Sequence, residues 1–293
     1  MDLQLLESKH PNEIAQRGYD NLVAIDEQKT ALLGMLRLFF DTSQVSKWHK
    51  KHHQSKLKFL DNIITGTPLI ILAGDVGCGK TALANCIATP LGKILDKRVF
   101  CFETPSNIRG GGRVGEISNR ITEAFTQAKS KVKSDYAGIL IIDEADDLAT
   151  DREQNQAHHE DRAGLNVLIK QIDSIAKEKV NLAVILITNR LKALDPAVIR
   201  RASQVIHFSR PDANGRKQVF QFLLSGAGMS EKEIDELVKA SERNDTPYSF
   251  SDLIQKIGRL ALLQGIEQDR AFDKKILLEV LQTVEPSPLI NGK

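Results

Sequence analysis

Gly74-Asp75-Val76-Gly77-Cys78-Gly79-Lys80-Thr81 fits the spacing G-x-x-x-x-G-K-[ST] and stands between an apolar run, Pro68 to Ala73, and a helical pattern, Thr81 to Leu91. A strand before and a helix after give this spacing a physical meaning. The glycines let the backbone curl until its N–H groups face one concavity, and the start of the helix adds its own free N–H groups. Such a nest binds phosphate. Lys80 would reach the β- and γ-phosphates of ATP, and Thr81 would ligate Mg2+. Asp75, Val76, Gly77, Cys78, Gly79 and Ala82 complete the candidate loop. The alternative, a glycine-rich turn with a chance Lys-Thr, leaves the flanking strand and helix unexplained.

Working outward, further strands are expected at Arg98–Phe102, Gly138–Ile142, Leu182–Ile187 and Gln204–Phe208. Between them, Ile117, Ile121 and Phe125 recur four apart, which predicts an amphipathic helix over 116–132. Leu165, Leu168, Ile169 and Ile172 mark another. Strands that are continuously apolar and alternate with helices predict an α/β fold, here a parallel five-stranded sheet between helices. After Arg210-Pro211 the pattern becomes helical throughout. The expected organisation is a short lead-in over 1–20, an α/β domain over 21–210 and a small helical domain over 211–293.

Gly138 to Ile142 leads into Asp143-Glu144-Ala145-Asp146. In parallel sheets the reactive groups gather at the carboxyl ends of strands. Asp143 would hold Mg2+ through water, and Glu144 would orient and polarise the attacking water. A solvated strand end also carries such residues, but nucleotide hydrolysis needs both a phosphate loop and an acidic strand end. Val184 to Thr188 runs into Asn189, whose amide could bridge the γ-phosphate and that water; a turn-forming Asn is the plainer reading of this segment alone. Arg200 and Arg201 follow a short helical segment from Asp195. They read either as charge at a helix C-terminus or as an arginine finger reaching a neighbouring subunit's ATP.

Composition narrows the classes. The 293 residues include 40 basic and 38 acidic side chains, for a formal net charge of +2. This balance gives no overall footprint for nucleic acid. Cys78, Cys86 and Cys101 lack a metal-ligand spacing and point to free thiols in a reducing compartment. The N-terminus lacks the pattern of a signal peptide, and no apolar stretch approaches the ~20 residues that span a bilayer. These features place the protein in the cytoplasm and away from membranes. The stretch Lys47 to Lys58, with Trp48 and His49, His52 and His53, reads as a solvated basic linker rather than a metal site, and Trp48 as a packing anchor.

The four motifs, in this order, resemble the AAA+ ATPases over roughly 19–284. Tyr19 to Ile25 resembles the family's segment beside the adenine, which makes Val23 and Ala24 candidate nucleotide contacts. The stretch from Asp161 to Asp173 resembles the helix after the acidic motif in remodelling members. Tyr248-Ser-Phe-Ser-Asp252-Leu253 resembles the S-G-A-D-L turn of their helical lid, but Asp252 stands about where some relatives carry a second sensor arginine. Within the family, the chain is most similar to the pachytene-checkpoint ATPases, which remodel HORMA-domain proteins, and to compact bacterial relatives that accompany nucleotide-second-messenger anti-phage systems. The resemblance implies a homohexamer that uses ATP and Mg2+ and acts on a protein substrate of HORMA type. It also implies a pore loop at Arg113-Val114-Gly115, with 151–161 as a second loop. The aromatic usual in the first loop is missing here. Its arginines would also suit phosphates, which keeps a DNA-acting AAA+ ATPase, of loader or branch-migration type, as the alternative.

Overall fold

The computed structural model describes residues 3–60, 66–105, 108, 115–133, 135–148, 159–243 and 245–289. Six strands form one sheet: β1 (Leu6–His10), β2 (Leu69–Gly74), β3 (Arg98–Glu103), β4 (Tyr136–Ile142), β5 (Leu182–Thr188) and β6 (Gln204–Phe208). Their order across the sheet is β1-β3-β4-β5-β2-β6. β3, β4, β5 and β2 pair in parallel, with Phe102 opposite Leu140, Leu140 opposite Val184, and Ile71 opposite Leu186. Beside β2, Ser203 N–H donates to Leu69 O at one end and Asp75 N–H to Phe208 O at the other, so β6 runs the same way.

The five expected strands are therefore the five parallel ones. The sixth is an addition: β1 lies in the stretch read as a lead-in and pairs antiparallel with β3, Ser8 opposite Cys101. Its sequence, LESKH, buries only His10 and so shows no apolar alternation. An edge strand needs backbone pairing more than an apolar face. β5, by contrast, is buried at all seven positions, as a central strand covered on both faces must be. Each fully buried Ile or Leu there contributes about 1.5–3 kcal/mol through removal of apolar surface from water.

The chain divides into two compact units. The first comprises 1–19, 27–73 and 81–207 and holds nearly all of the sheet. Its main cluster joins β4 and β5 to helices Glu116–Lys131 and His159–Glu178 through Ile121, Phe125, Leu168 and Ile172. Of the basic stretch, Lys47–His52 belong to a helix, Ser43–His52, that buries no residue, and 53–58 follow it outside any helix or strand. Trp48 is 47% exposed there rather than a deep anchor; its ring meets His53 edge-on at 5.0 Å.

The second unit comprises 20–26, 74–80 and 208–293. It contains helices Ala213–Leu223, Glu231–Ala240, Arg259–Glu267 and Lys274–Leu281, and a π-wound turn over Asp252–Gly258. Their starts are chemically fixed. Asp212 accepts from Gly215 N–H, Asp273 from Ile276 N–H, and Ser230 and Glu233 form a reciprocal capping box. The phosphate loop falls in this unit, although the sequence division assigned it to the α/β part.

Candidate nucleotide site

In the second unit, Gly74 has φ 144°, and a Cβ there would lie 1.9 Å from Phe208 O. No other residue fits that exit from β2. Gly77, at φ 73°, would place a Cβ 2.7 Å from Ser249 Oγ. This close approach carries a hydrogen bond, Ser251 N–H to Gly77 O at 3.0 Å. The turn at 249–252 is thus in direct contact with the phosphate loop. Lys80 is 5% exposed, and its ammonium donates to Gly74 O (2.9 Å) and Asp75 O (2.7 Å). The lysine is folded over the loop it serves. Cys78 is buried, and burial pushes its thiol up to about 11, so it is a filler and not a nucleophile. Of the segment expected beside the base, Ile25 packs near Gly79 and Ala24 adopts a positive φ of 58° beside Gly215. Val23 is half-buried between Leu22 and Ala24.

Asp252 is fully buried at the foot of the 249–252 turn. It accepts from Ser249 N–H (2.9 Å), Ser249 Oγ (2.9 Å), Ser287 N–H (3.2 Å) and Ser287 Oγ (2.6 Å), and it pairs with Lys256 at 2.7 Å. Burial alone would raise its carboxyl; Lys256, Ser287 and Ser249 outweigh that and hold it well below the usual carboxylate range. Where some relatives present a cation, this chain has a buried anion that organises the turn.

In the first unit, helix Lys80–Cys86 and β4 bring the Thr81 hydroxyl onto Asp143 Oδ2 at 2.7 Å. Asp143 Oδ1 accepts from Glu144 N–H at 2.8 Å. Glu144 is exposed and has φ 52°, a left-handed conformation costly for a side chain of this size. The chain thus turns out of the sheet at the residue expected to handle water. Ala82 is exposed on the same helix as Thr81. Two paired hard oxygen donors suit Mg2+, which is held by few protein oxygens and completes its shell with water and phosphate. Among the described residues there is no group of three or more His, Cys, Asp or Glu that could hold a metal ion.

Three features escaped the sequence reading. Glu103 closes β3, and its carboxyl is raised by burial and by the charge of Asp143. Its position at the carboxyl end of a parallel strand was the available signal. Thr188 Oγ1 donates to Asp146 Oδ1 at 2.8 Å and accepts from Arg190 N–H at 2.9 Å. The strand end carrying half-buried Asn189 is thereby tied to the acidic motif. Arg210 pairs with Asp75 in the second unit. That contact spans 135 positions of sequence and has no local signature.

The two arginines differ. Asp195 caps helix Pro196–Ile199. Arg201 Nε and Nη2 hold both oxygens of Asp173 at 2.8 and 3.0 Å, and this pair keeps its guanidinium protonated beyond its ordinary range. Arg200 is exposed, and among the described residues its side-chain hydrogen bond is to its own helix, Nε to Pro196 O at 3.3 Å. Gly115 has φ 78° and begins helix Glu116–Lys131. Arg113 and Val114, and 151–158 of the second candidate loop, lie outside the described residues.

A parallel sheet with a glycine-rich phosphate loop after one strand and the acidic pair Asp143–Glu144 after another is the pattern of a P-loop ATPase. Residues 70–210 match the model of the ATPase family associated with various cellular activities, and the chain belongs to this family and is an ATPase. It is 37% identical over 289 residues to CD-NTase-associated protein 6 of Escherichia coli strain MS 115-1, covering 95% of this chain and 93% of that protein. Among solved structures, it resembles a chain of the E. coli MS115-1 HORMA:CdnC:Trip13 complex, with TM-score 0.92, 36% identity and coverage of 98% and 97%. It also resembles Rhizobiales Trip13, with TM-score 0.76, 31% identity and coverage of 97% and 98%.

Proposed function

We propose that this ATPase remodels a HORMA-domain protein as part of a bacterial anti-phage signalling system, working in the cytoplasm as a homohexamer. The observation that supports this most is the likeness, over nearly the whole chain, to a protein solved together with HORMA and CdnC partners. Among the described residues no helix is long and apolar enough to cross a membrane.

In this reading the phosphate loop from Asp75 to Thr81 and Ala82 holds the triphosphate, Val23 and Ala24 lie by the base, and Lys80 leaves its carbonyl partners for the γ-phosphate. Thr81 and Asp143 would hold Mg2+, which would draw charge from the phosphate oxygens. Glu144 orients the attacking water. Asn189, fixed through the Thr188–Asp146 bond, contacts the γ-phosphate. Arg200 is the finger that a neighbouring subunit's ATP receives, while Arg201 is held at Asp173. Arg113, Val114 and Gly115 grip the extended substrate. A pull on one segment can open one element of a protein without unfolding all of it, because local stability varies widely across a structure.

The test is to mix the protein with the HORMA-domain protein of its own system and follow hydrogen exchange of the latter with and without ATP. Faster exchange in one element of the HORMA protein, with ATP and not with a non-hydrolysable analogue, supports the proposal. Unchanged exchange, together with ATP hydrolysis that nucleic acid stimulates and salt suppresses, would favour a DNA-acting ATPase.

A further inference from the structure

We propose that Arg210 is a positioning residue for nucleotide, clamping the phosphate loop to the segment that follows the last helix. Its side chain is 5% exposed and that of Asp75 17%, so the pair is shielded from solvent. Nε of Arg210 holds Asp75 Oδ2, while Nη1 donates to Pro247 O and Ser287 O (2.7 Å) and Nη2 to Pro288 O (3.1 Å). A guanidinium offers five donors in a fixed plane, and four contacts leave it little freedom to turn. Asp75 is held in turn. Its other carboxylate oxygen accepts from Val76 N–H at 2.9 Å, and its backbone carbonyl receives the Lys80 ammonium. Any displacement of Asp75 therefore moves both the loop backbone and the lysine that reaches for phosphate.

A second route joins the same two places. Gly77 lies against Ser249, Ser249 is held by Asp252, and Asp252 accepts from both the N–H and the hydroxyl of Ser287. The routes meet at Ser287, whose carbonyl serves Arg210 and whose donors serve Asp252. Preorganising a loop in its binding conformation raises affinity without adding a contact to the ligand. The clamp should therefore act on nucleotide affinity and leave the chemical step alone. The inference rests on the phosphate loop being the nucleotide site.

The test measures binding of a fluorescent ATP analogue and steady-state hydrolysis in full-length Arg210→Gln, Asp75→Asn, the double variant and Arg210→Lys. Each single variant should weaken binding and raise KM about tenfold, with kcat within about twofold of the parent. The double variant should be no worse than either single one, because both remove the same interaction. Arg210→Lys keeps the charge but not the fork, and should remain several-fold weaker than the parent. If Arg210→Gln does not fold, Asp75→Asn removes the pair while sparing the three carbonyl contacts. Parental affinity in the single variants with only a lowered melting temperature, or losses that multiply in the double variant, would overturn the inference. Failure of the parent itself to bind the analogue would instead overturn the assignment of the loop.

Discussion

The hydroxyl of Thr81 donates to the carboxylate of Asp143 at 2.7 Å, so the residue after the phosphate-loop lysine and the acidic residue that directly follows β4 already share one hydrogen bond. In the proposed mechanism both residues would hold Mg2+, Thr81 by its hydroxyl and Asp143 through water. Asp143→Asn removes the charge that attracts the metal, and Thr81→Val removes the second oxygen. Each should lower ATP turnover about a hundredfold or more, and excess Mg2+ should partly restore Asp143→Asn. Turnover against Mg2+ concentration checks this; parental turnover in Asp143→Asn would contradict it.

The bond from Thr188 to Asp146 predicts a purely positional effect. Thr188→Val keeps the shape of β5 but loses both the donor to Asp146 and the acceptor for Arg190 N–H. Asn189 is then less well aimed. The expected result is a fall in kcat of about tenfold with little change in KM, since small misplacements of reacting groups cost rate more than binding. A fall in nucleotide affinity with kcat intact would argue against this role for the strand end.

Arg200 and Arg201 should separate in a mixing experiment. Arg200→Ala should abolish turnover with the melting temperature unchanged, because the side chain is exposed and, among the described residues, its hydrogen bond is to its own helix. Arg201→Ala breaks a half-exposed pair and should cost about 0.5–1 kcal/mol of stability along with activity. If Arg200 acts across an interface, inactive Arg200→Ala and inactive Glu144→Gln subunits should regain measurable turnover when mixed. Some interfaces would then carry an intact finger facing an intact Glu144. No recovery in mixed rings would place Arg200 outside the site.

Asp252 sets an acid limit. Its folded carboxyl titrates below the ordinary value of 3.8, so its stabilising contribution is complete above that value and drains away as pH falls below it. Asp252→Asn should cost about 1–3 kcal/mol near neutral pH by leaving buried donors poorly matched. It should also flatten the loss of stability below about pH 4. Denaturant melts across pH check both; a variant with the parent's acid limb would show that other carboxylates set it.

What the sequence could show followed from how local each signal is. The strands around the phosphate loop are continuous apolar runs; Lys80 and Thr81 open the helix after β2, and Asp143 and Glu144 directly follow β4, where motif and fold coincide. β1 was hidden because an edge strand of LESKH has no apolar face to betray it. The helix Ser43–His52 was hidden because Val45 and Trp48 are its only apolar residues, too few to mark a helical repeat, and it buries neither. Asp252 looked like a missing cation. Its role became visible only when Ser249, Lys256 and Ser287 were seen around it. Arg210 and Asp75 meet only after folding, and no spacing rule links them.

The most direct test of the remodelling account is a substrate trap. Glu144→Gln should bind ATP yet turn it over at least a hundredfold more slowly, holding its client in place. Incubated with ATP in lysate of the source cells and then isolated, it should retain a HORMA-domain protein in stoichiometric amount, and Val114→Asp in the same chain should release it. Recovery of nucleic acid with no HORMA-domain protein would contradict the account.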